Sequence, residues 1–314
     1  MKKIVDFFVV RPILKFKKFK PAESIVIFSE ARGGSTWLME MLSEVLDVSI
    51  NYEPLHVQKG VIPKKLKFGW RPFVPKENTD DYIRAIFKKI HAFDAHTKWT
   101  RKYVRPKTLL NSKHVLIKYV RANMLLPFLL ENFNFKYAPI FLLRHPIDVC
   151  MSQVKAFGVS GQNSFDVQAT NTINNDRFLE YKDYINSLNT HLEKKIAIWC
   201  LNNCYAIDHL NDFNIEVVFY SDLLLSPKEE LERIIKSYGL YHHLEKLDEI
   251  DFRRASATDY NNDYQKNVEN QLNKNFEELD ENTKERIQRI FDHFDFKLYS
   301  AFSPHPNKKL LKVA

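Results

Sequence analysis

A chain of 314 residues that is 45% apolar and 13% aromatic can bury a full core in one domain, which excludes a disordered or fibrous protein. Its formal net charge of +8 suits an anionic ligand, nucleic acid or an anionic membrane surface without choosing among them. Cys150, Cys200 and Cys204 are odd in number and lack histidines at metal-ligand spacing, so a disulfide-stapled fold and a zinc site are set aside for a reducing, cytoplasmic setting.

Residues 1–23 read as a basic lead-in. Their apolar run is broken by Asp6 and stopped by Arg11, far short of the roughly 20 residues that span a bilayer. Lys15, Lys17, Lys18 and Lys20 alternate with Phe16 and Phe19, a pattern that suits peripheral docking on an anionic membrane as well as it suits an ordinary approach to the first strand. Residues 24–314 then read as one domain. Its first strand is the β-branched run 24–28, followed by Gly33-Gly34 and a helical pattern through Trp37, Leu38, Met41, Leu42, Val45 and Leu46.

Residues 56–113 form a basic insertion, rich in lysine and arginine from Lys59 to Lys107 against only Glu77, Asp80, Asp81 and Asp94. It suits an anionic acceptor, and equally a solvated basic surface. Further strands are expected at 114–120, 139–143 and 215–220, with helices at 80–91, 125–132, 147–156, 192–210 and 228–238. Ser226-Pro227 marks a helix start, with the serine placed to cap and proline at the first helical position. The chain from 261 onward reads as polar helix packed down by Phe291, Phe294 and Phe296; Trp199 reads as core. Apolar strands alternating with helices predict an α/β fold, a central parallel sheet flanked by helices on both faces.

Two places look built for anions. Arg32-Gly33-Gly34-Ser35-Thr36-Trp37 lies where a strand turns into a helix, so backbone N–H groups and the helix N-terminus can converge on a phosphate. A nucleotide triphosphatase loop would read Gly-x-x-x-x-Gly-Lys-Ser/Thr; here that lysine is missing, and so is an apolar strand ending in an aspartate suited to magnesium. The loop therefore suits a phosphate neutralised by protein donors, with no metal expected. Arg144 ends another apolar strand and Ser152 lies inside the helix after it, which gives a charged fork and a hydroxyl for a second phosphate.

At these motifs the chain resembles the sulfotransferases that use 3'-phosphoadenosine 5'-phosphosulfate (PAPS) and release 3'-phosphoadenosine 5'-phosphate (PAP). The resemblance implies a P-loop-like sulfotransferase fold and covers residues 24–58, 114–157 and 196–240. Arg32 to Trp37 looks like the family's 5'-phosphosulfate loop and Arg144 to Ser152 like its 3'-phosphate segment, while Tyr220-Ser221-Asp222-Leu223 is similar to the Tyr-Glu-Asp-Leu whose tyrosine lies near the adenine. Trp37 matches the position that stacks on the adenine in cytosolic members of the family. Asn51 to His56, containing Glu53-Pro54-Leu55, resembles the carbohydrate branch, as does Lys118-x-x-Arg121; the histidine base of the cytosolic branch is absent from Lys118-Tyr119-Val120.

The resemblance implies metal-independent transfer to a hydroxyl of a polysaccharide or glycolipid, with Glu53 as base, His56 next in line, and Arg32 and Lys118 stabilising developing charge. Arg253, Arg254, Ser256 and Thr258 suit a loop over the donor or a solvated surface loop. A phosphoryl-transfer kinase and a basic module for nucleic acid or anionic lipid remain as alternatives. The first is opposed by the missing lysine. For nucleic acid, nothing resembles a helix-turn-helix, zinc finger or aromatic single-strand platform, and no nucleic-acid partner is expected.

Overall fold

The uninterrupted apolar runs become strands covered on both sides. In the computed structural model, residues 5–120, 122–157, 176–254 and 268–311 are described. In chain order they form α1 (Arg11–Phe16), β1 (Ile25–Ser29), α2 (Ser35–Val45), β2 (Val48–Tyr52), α3 (Asp81–His91), α4 (Pro106–Asn111), β3 (His114–Val120), α5 (Leu126–Asn132), β4 (Ile140–Leu143), α6 (Pro146–Phe157), α7 (Asp176–Ser187), α8 (His191–Asp208), β5 (Glu216–Phe219), α9 (Tyr220–Leu225), α10 (Pro227–Ser237), α11 (Val268–Glu277) and α12 (Glu281–His293). The five strands make one parallel sheet in the order β2-β3-β1-β4-β5.

Strand periodicity explains the two-sided core. In β1, Val26 and Phe28 enter one cluster with Ile147, Trp199 and Phe291, while Ile25 and Ile27 enter another with Leu38, Met41 and Leu42 of α2 and Leu231, Ile234 and Ile235 of α10. Each such side chain, fully buried, contributes about 1.5–3 kcal/mol of transfer free energy. Trp199 is core, as expected, packed edge-on against Phe296.

The fifth strand, β2, was not expected. Val48 and Ile50 alternate with Ser49 and Asn51, which suggests a wet face, yet both polar side chains are buried and each makes a hydrogen bond inside the protein. The Ser49 hydroxyl meets that of Ser112 at 2.8 Å, and Asn51 Nδ2 donates to the Ile90 carbonyl at 3.0 Å. Ser226 also departs from expectation: it makes no side-chain cap, and Pro227 alone opens α10. Caps form elsewhere, at Asp80 for α3 and as a Thr190–Glu193 capping box for α8.

The basic stretch 56–113 contributes to the core as well as the surface, because Ile83, Phe87 and Ile90 of α3 are fully buried. The lead-in is helical through residues 6–16 and inserts Val10 and Leu14 into the same core. Asp6 ties it down, accepting hydrogen bonds of 2.8 and 2.9 Å from the buried guanidinium of Arg101.

After β1 the chain crosses to the sheet edge at β2, returns to β3 beside β1, and then passes to β4 on the other side. The sheet therefore reverses direction at β1. Ligands of open parallel sheets bind at the carboxyl ends of strands at such a point.

Candidate active site

The loop after β1 can exist only with glycine at its turn. Gly34 has φ +93°, and a Cβ there would collide with the Tyr220 ring; one on Gly33 would collide with Ser29 Oγ and the Glu30 carbonyl. Arg32 also takes a left-handed conformation, φ +69°. Buried bonds from neighbouring helices hold the loop in place. Gln153 of α6 donates to the Ala31 carbonyl at 2.9 Å, and Asn202 of α8 donates at 3.1 Å to Glu30, whose other carboxylate oxygen accepts from the Ala31 N–H at 3.3 Å. Ser35 and Thr36 open α2, so their N–H groups lie in its first turn, where no intrahelical acceptor exists.

The two segments expected to hold anions are contiguous. Arg32 Nε donates to Ser152 Oγ at 3.0 Å, and Arg144 Nη1 donates to the Arg32 carbonyl at 3.2 Å. The Arg144 guanidinium sits 4.4 Å over the Tyr220 ring, the same ring that limits Gly34. Arg144 Nε also lies 3.8 Å from Asp148, whose carboxylate accepts from Asn275 at 2.6 Å. Burial pushes the Asp148 carboxyl up, and the Arg144 charge works against that rise. Tyr220 opens α9 rather than ending the fourth predicted strand. Trp37 is buried and donates its indole N–H to the Arg254 carbonyl at 3.1 Å, which brings that part of the 253–258 loop to the site. Arg121, Ser256 and Thr258 lie outside the described residues.

Across the sheet, Glu53 and Lys118 are joined. Lys118 pairs with Tyr52 in register, so residue 53 leaves β2 beside it. Lys118 Nζ donates to Glu53 Oε1 at 2.8 Å, and the Glu53 N–H donates to the Lys118 carbonyl at 3.1 Å. The lysine side chain is 3% exposed and the glutamate 16%. Glu53 is held at φ +43°, a conformation uncommon outside glycine and asparagine. Lys118 Nζ also lies 4.4 Å over the Tyr52 ring. Burial foremost, then the Glu53 charge, pushes the Tyr52 phenol far up, while a hydrogen bond with Thr36 pulls the other way. Tyr52 thus stands beside the Glu53–Lys118 pair.

Beside that pair stands a wall that sequence reasoning missed. Tyr52 packs on Trp99 at 5.4 Å and Tyr103 at 4.8 Å, and His56 packs on Trp70 and Trp99 at 5.0 Å each. Lys102 lies within cation–π reach of Tyr52, Trp99 and Tyr103, and Lys59 of Trp99. His56 Nδ1 accepts from the Gln58 and Lys59 N–H groups at 3.3 and 3.2 Å, which gives that nitrogen a turn to hold. The basic residues were visible as charge; the aromatic residues among them, scattered over 70–103, carried no periodic signal.

A model of the sulfotransferase family matches residues 24–244, well over half of the chain. The chain belongs to the sulfotransferase family. The matched span of this sulfotransferase contains Arg32 to Trp37, Glu53, Lys118, Arg144, Ser152 and Tyr220, and leaves α11 and α12 outside it. No curated protein matches the sulfotransferase. One solved structure, described as the sulfotransferase domain from the curacin biosynthetic pathway, aligns with 88% of this chain and 99% of its own at 17% identity and a TM-score of 0.44. Among the described residues of the sulfotransferase, no helix is long and apolar enough to cross a membrane and no His/Cys/Asp/Glu group is arranged to hold a metal.

Proposed function

We propose that this sulfotransferase moves a sulfuryl group from PAPS to a hydroxyl of a carbohydrate, polysaccharide or glycolipid, without a metal ion and with Glu53 as base. The observation that carries the proposal is the buried Glu53–Lys118 pair, joined at 2.8 Å where β2 and β3 end side by side. The residues present fit the donor: the space a Cβ would fill at Gly34 lets the loop close over Tyr220, and Arg32, Arg144 and Ser152 already form one hydrogen-bonded set.

In this reading the N–H groups of Gly34, Ser35 and Thr36 and the hydroxyls of Ser35 and Thr36 hold the 5'-phosphosulfate, and Gly33, whose N–H donates to the Glu30 carbonyl at 3.0 Å, shapes the turn around it. Arg144 and Ser152 hold the 3'-phosphate that distinguishes this donor from ATP, with Trp37 and Tyr220 beside the adenine. Arg32, bonded to Ser152, belongs to both sets. The donor supplies the electrophilic sulfuryl group and PAP as leaving group. Glu53 takes the acceptor's proton as the new S–O bond forms, the bond from sulfur to the 5'-phosphate oxygen breaks, and PAP leaves with that electron pair. Lys118 fixes the Glu53 carboxylate and, with Arg32, places positive charge where negative charge develops. No magnesium is needed in this scheme, because the cations are side chains.

The wall of Trp70, Trp99 and Tyr103 with Lys59 and Lys102 supports a carbohydrate acceptor bearing anionic groups, since flat rings cover the apolar faces of sugars and ammonium groups meet carboxylate or sulfate. The buried, unpaired thiols of Cys150, Cys200 and Cys204 fit the cytoplasm. Thermal-shift titration with PAP in the absence of metal, beside ATP with magnesium, tests the donor; a radiolabelled-sulfate assay over neutral and anionic oligosaccharides tests the acceptor. Stabilisation by PAP alone and label in an anionic oligosaccharide are expected. Stabilisation by ATP with magnesium in place of PAP would move the chain to phosphoryl transfer.

A further inference from the structure

The helical lead-in carries a surface that sulfuryl transfer does not use. Val10 and Leu14 point into the core, and the residues around them point away from it: Phe7 is 55% exposed, Phe8 69%, Val9 38% and Phe16 79%. Phe8, Pro12 and Phe16 recur every four residues, so they form a row along the outer side of the helix, and Phe7, Arg11 and Lys15 form the next row. Arg11 lies 5.3 Å over the Phe7 ring and Lys15 Nζ 6.0 Å over that of Phe16. Leu110, 60% exposed, is drawn alongside by a 2.8 Å bond from Lys17 Nζ to its carbonyl.

Behind this ridge lies a cavity of about 440 Å³ lined by Arg11, Leu14, Lys15, Lys18, Asp94 and His96. Asp94 pairs with Lys18 at 3.2 Å and Arg11 lies 3.4 Å from Asp6, so the cavity retains an excess of positive charge with Lys15 at its rim.

We infer that this ridge and cavity dock the protein on an anionic lipid bilayer, with the phenylalanines in the acyl–headgroup boundary and the cavity around a lipid phosphate. Three separate features agree on that occupant. The aromatic side chains protrude from a convex helix, as entry into a bilayer interface requires and a protein groove does not. Cations flank them on the same helix, and the cavity, lined by Arg11, Lys15 and Lys18, has the charge a headgroup phosphate needs. The helix is too short and too charged to cross the bilayer, so the attachment is peripheral. Asp6 on this helix holds Arg101, two residues from Trp99 and next to Lys102 in the wall by Glu53. If the acceptor reading is correct, the docked protein presents that wall to carbohydrate attached to the same membrane.

Co-sedimentation of the full chain with vesicles of phosphatidylcholine plus phosphatidylserine, against vesicles of phosphatidylcholine alone, tests the inference. Binding is expected only to the anionic vesicles and should weaken as salt rises. Lys15→Glu should reduce it about tenfold, and the double variant Phe8→Ser/Phe16→Ser should abolish it while both keep the parent's melting temperature. Absence of binding to anionic vesicles, or binding indifferent to both variants, overturns the proposal. Two further outcomes also overturn it: competition by inorganic phosphate that survives Phe8→Ser/Phe16→Ser would assign the cavity to a soluble anion, and self-association lost in that variant without vesicle binding would assign the ridge to a second copy. None of these outcomes depends on donor binding or turnover, so failure here leaves the sulfotransferase reading intact.

Discussion

The proposed donor side and the proposed acceptor side of the site are built by opposite means. On the donor side, backbone shape dominates: a left-handed Gly34 pressed on Tyr220, a helix start at Ser35, and arginines bound to a carbonyl and a hydroxyl. On the acceptor side, side chains from distant segments converge: Glu53 after β2, Lys118 in β3, and Trp70, Trp99, Lys102 and Tyr103 from the long connection between those strands. Shape recognition by backbone leaves little room for substitution. A wall of side chains on one connection can be exchanged without disturbing the donor, so one architecture can keep its donor while its acceptor changes.

That contrast can be broken by single substitutions. Glu53→Gln should cost the most, about 100- to 10,000-fold in kcat, with PAP affinity unchanged; near-normal turnover would remove the base from this position. Lys118→Met should lower kcat about 100- to 1,000-fold, again without weakening PAP. Arg144→Ala should do the reverse, reducing PAP affinity about 10- to 100-fold by calorimetry and ATP affinity less, because it removes the charge-assisted bonds to the 3'-phosphate, while its loss from the Arg32 carbonyl and the Tyr220 ring touches both nucleotides. Trp99→Ala should raise the acceptor KM about two- to tenfold and leave donor affinity alone; a change in both would show that the two sides are not separable.

One further effect belongs to neither side and is read in stability rather than in turnover. Burial holds His91 and His145 neutral, with pKa values lowered to about 3. Their folded values lie below the unfolded value near 6.5, so the folded state binds fewer protons in between. Stability is complete above about pH 6.5 and falls with acidification by about 1.4 kcal/mol per pH unit for each histidine. Chemical denaturation from pH 7 to 4.5 should show that slope, and His91→Phe should reduce it by one histidine's share.

The donor side was largely legible in the sequence because its signals are local: two glycines before a helix, an arginine at a strand end, and a tyrosine where the fourth apolar run stops. Their union into one cluster was not legible, since Arg32 and Ser152 meet only when β1 and β4 pair. On the acceptor side Glu53 and Lys118 could be named individually, yet β2, the strand that sets them side by side, was hidden by its buried serine and asparagine. The aromatic wall was invisible because its members share no periodicity. Parallel-sheet architecture survived these omissions, because four largely apolar runs alternating with helical stretches already demanded cover on both faces.

Arg101 gives the lead-in a practical meaning. Its guanidinium is nearly sealed from water and is answered by an aspartate 95 residues earlier in the chain. A shortened protein beginning at the first strand would strand that cation, at a cost of about 3–5 kcal/mol for a broken buried pair. The damage would appear far from the cut, as a loosened Trp99–Tyr103 turn and a poor acceptor KM. Trimming the apolar N-terminus to improve solubility would thus counterfeit an acceptor-site mutation, and kinetic work on this protein calls for the intact helix.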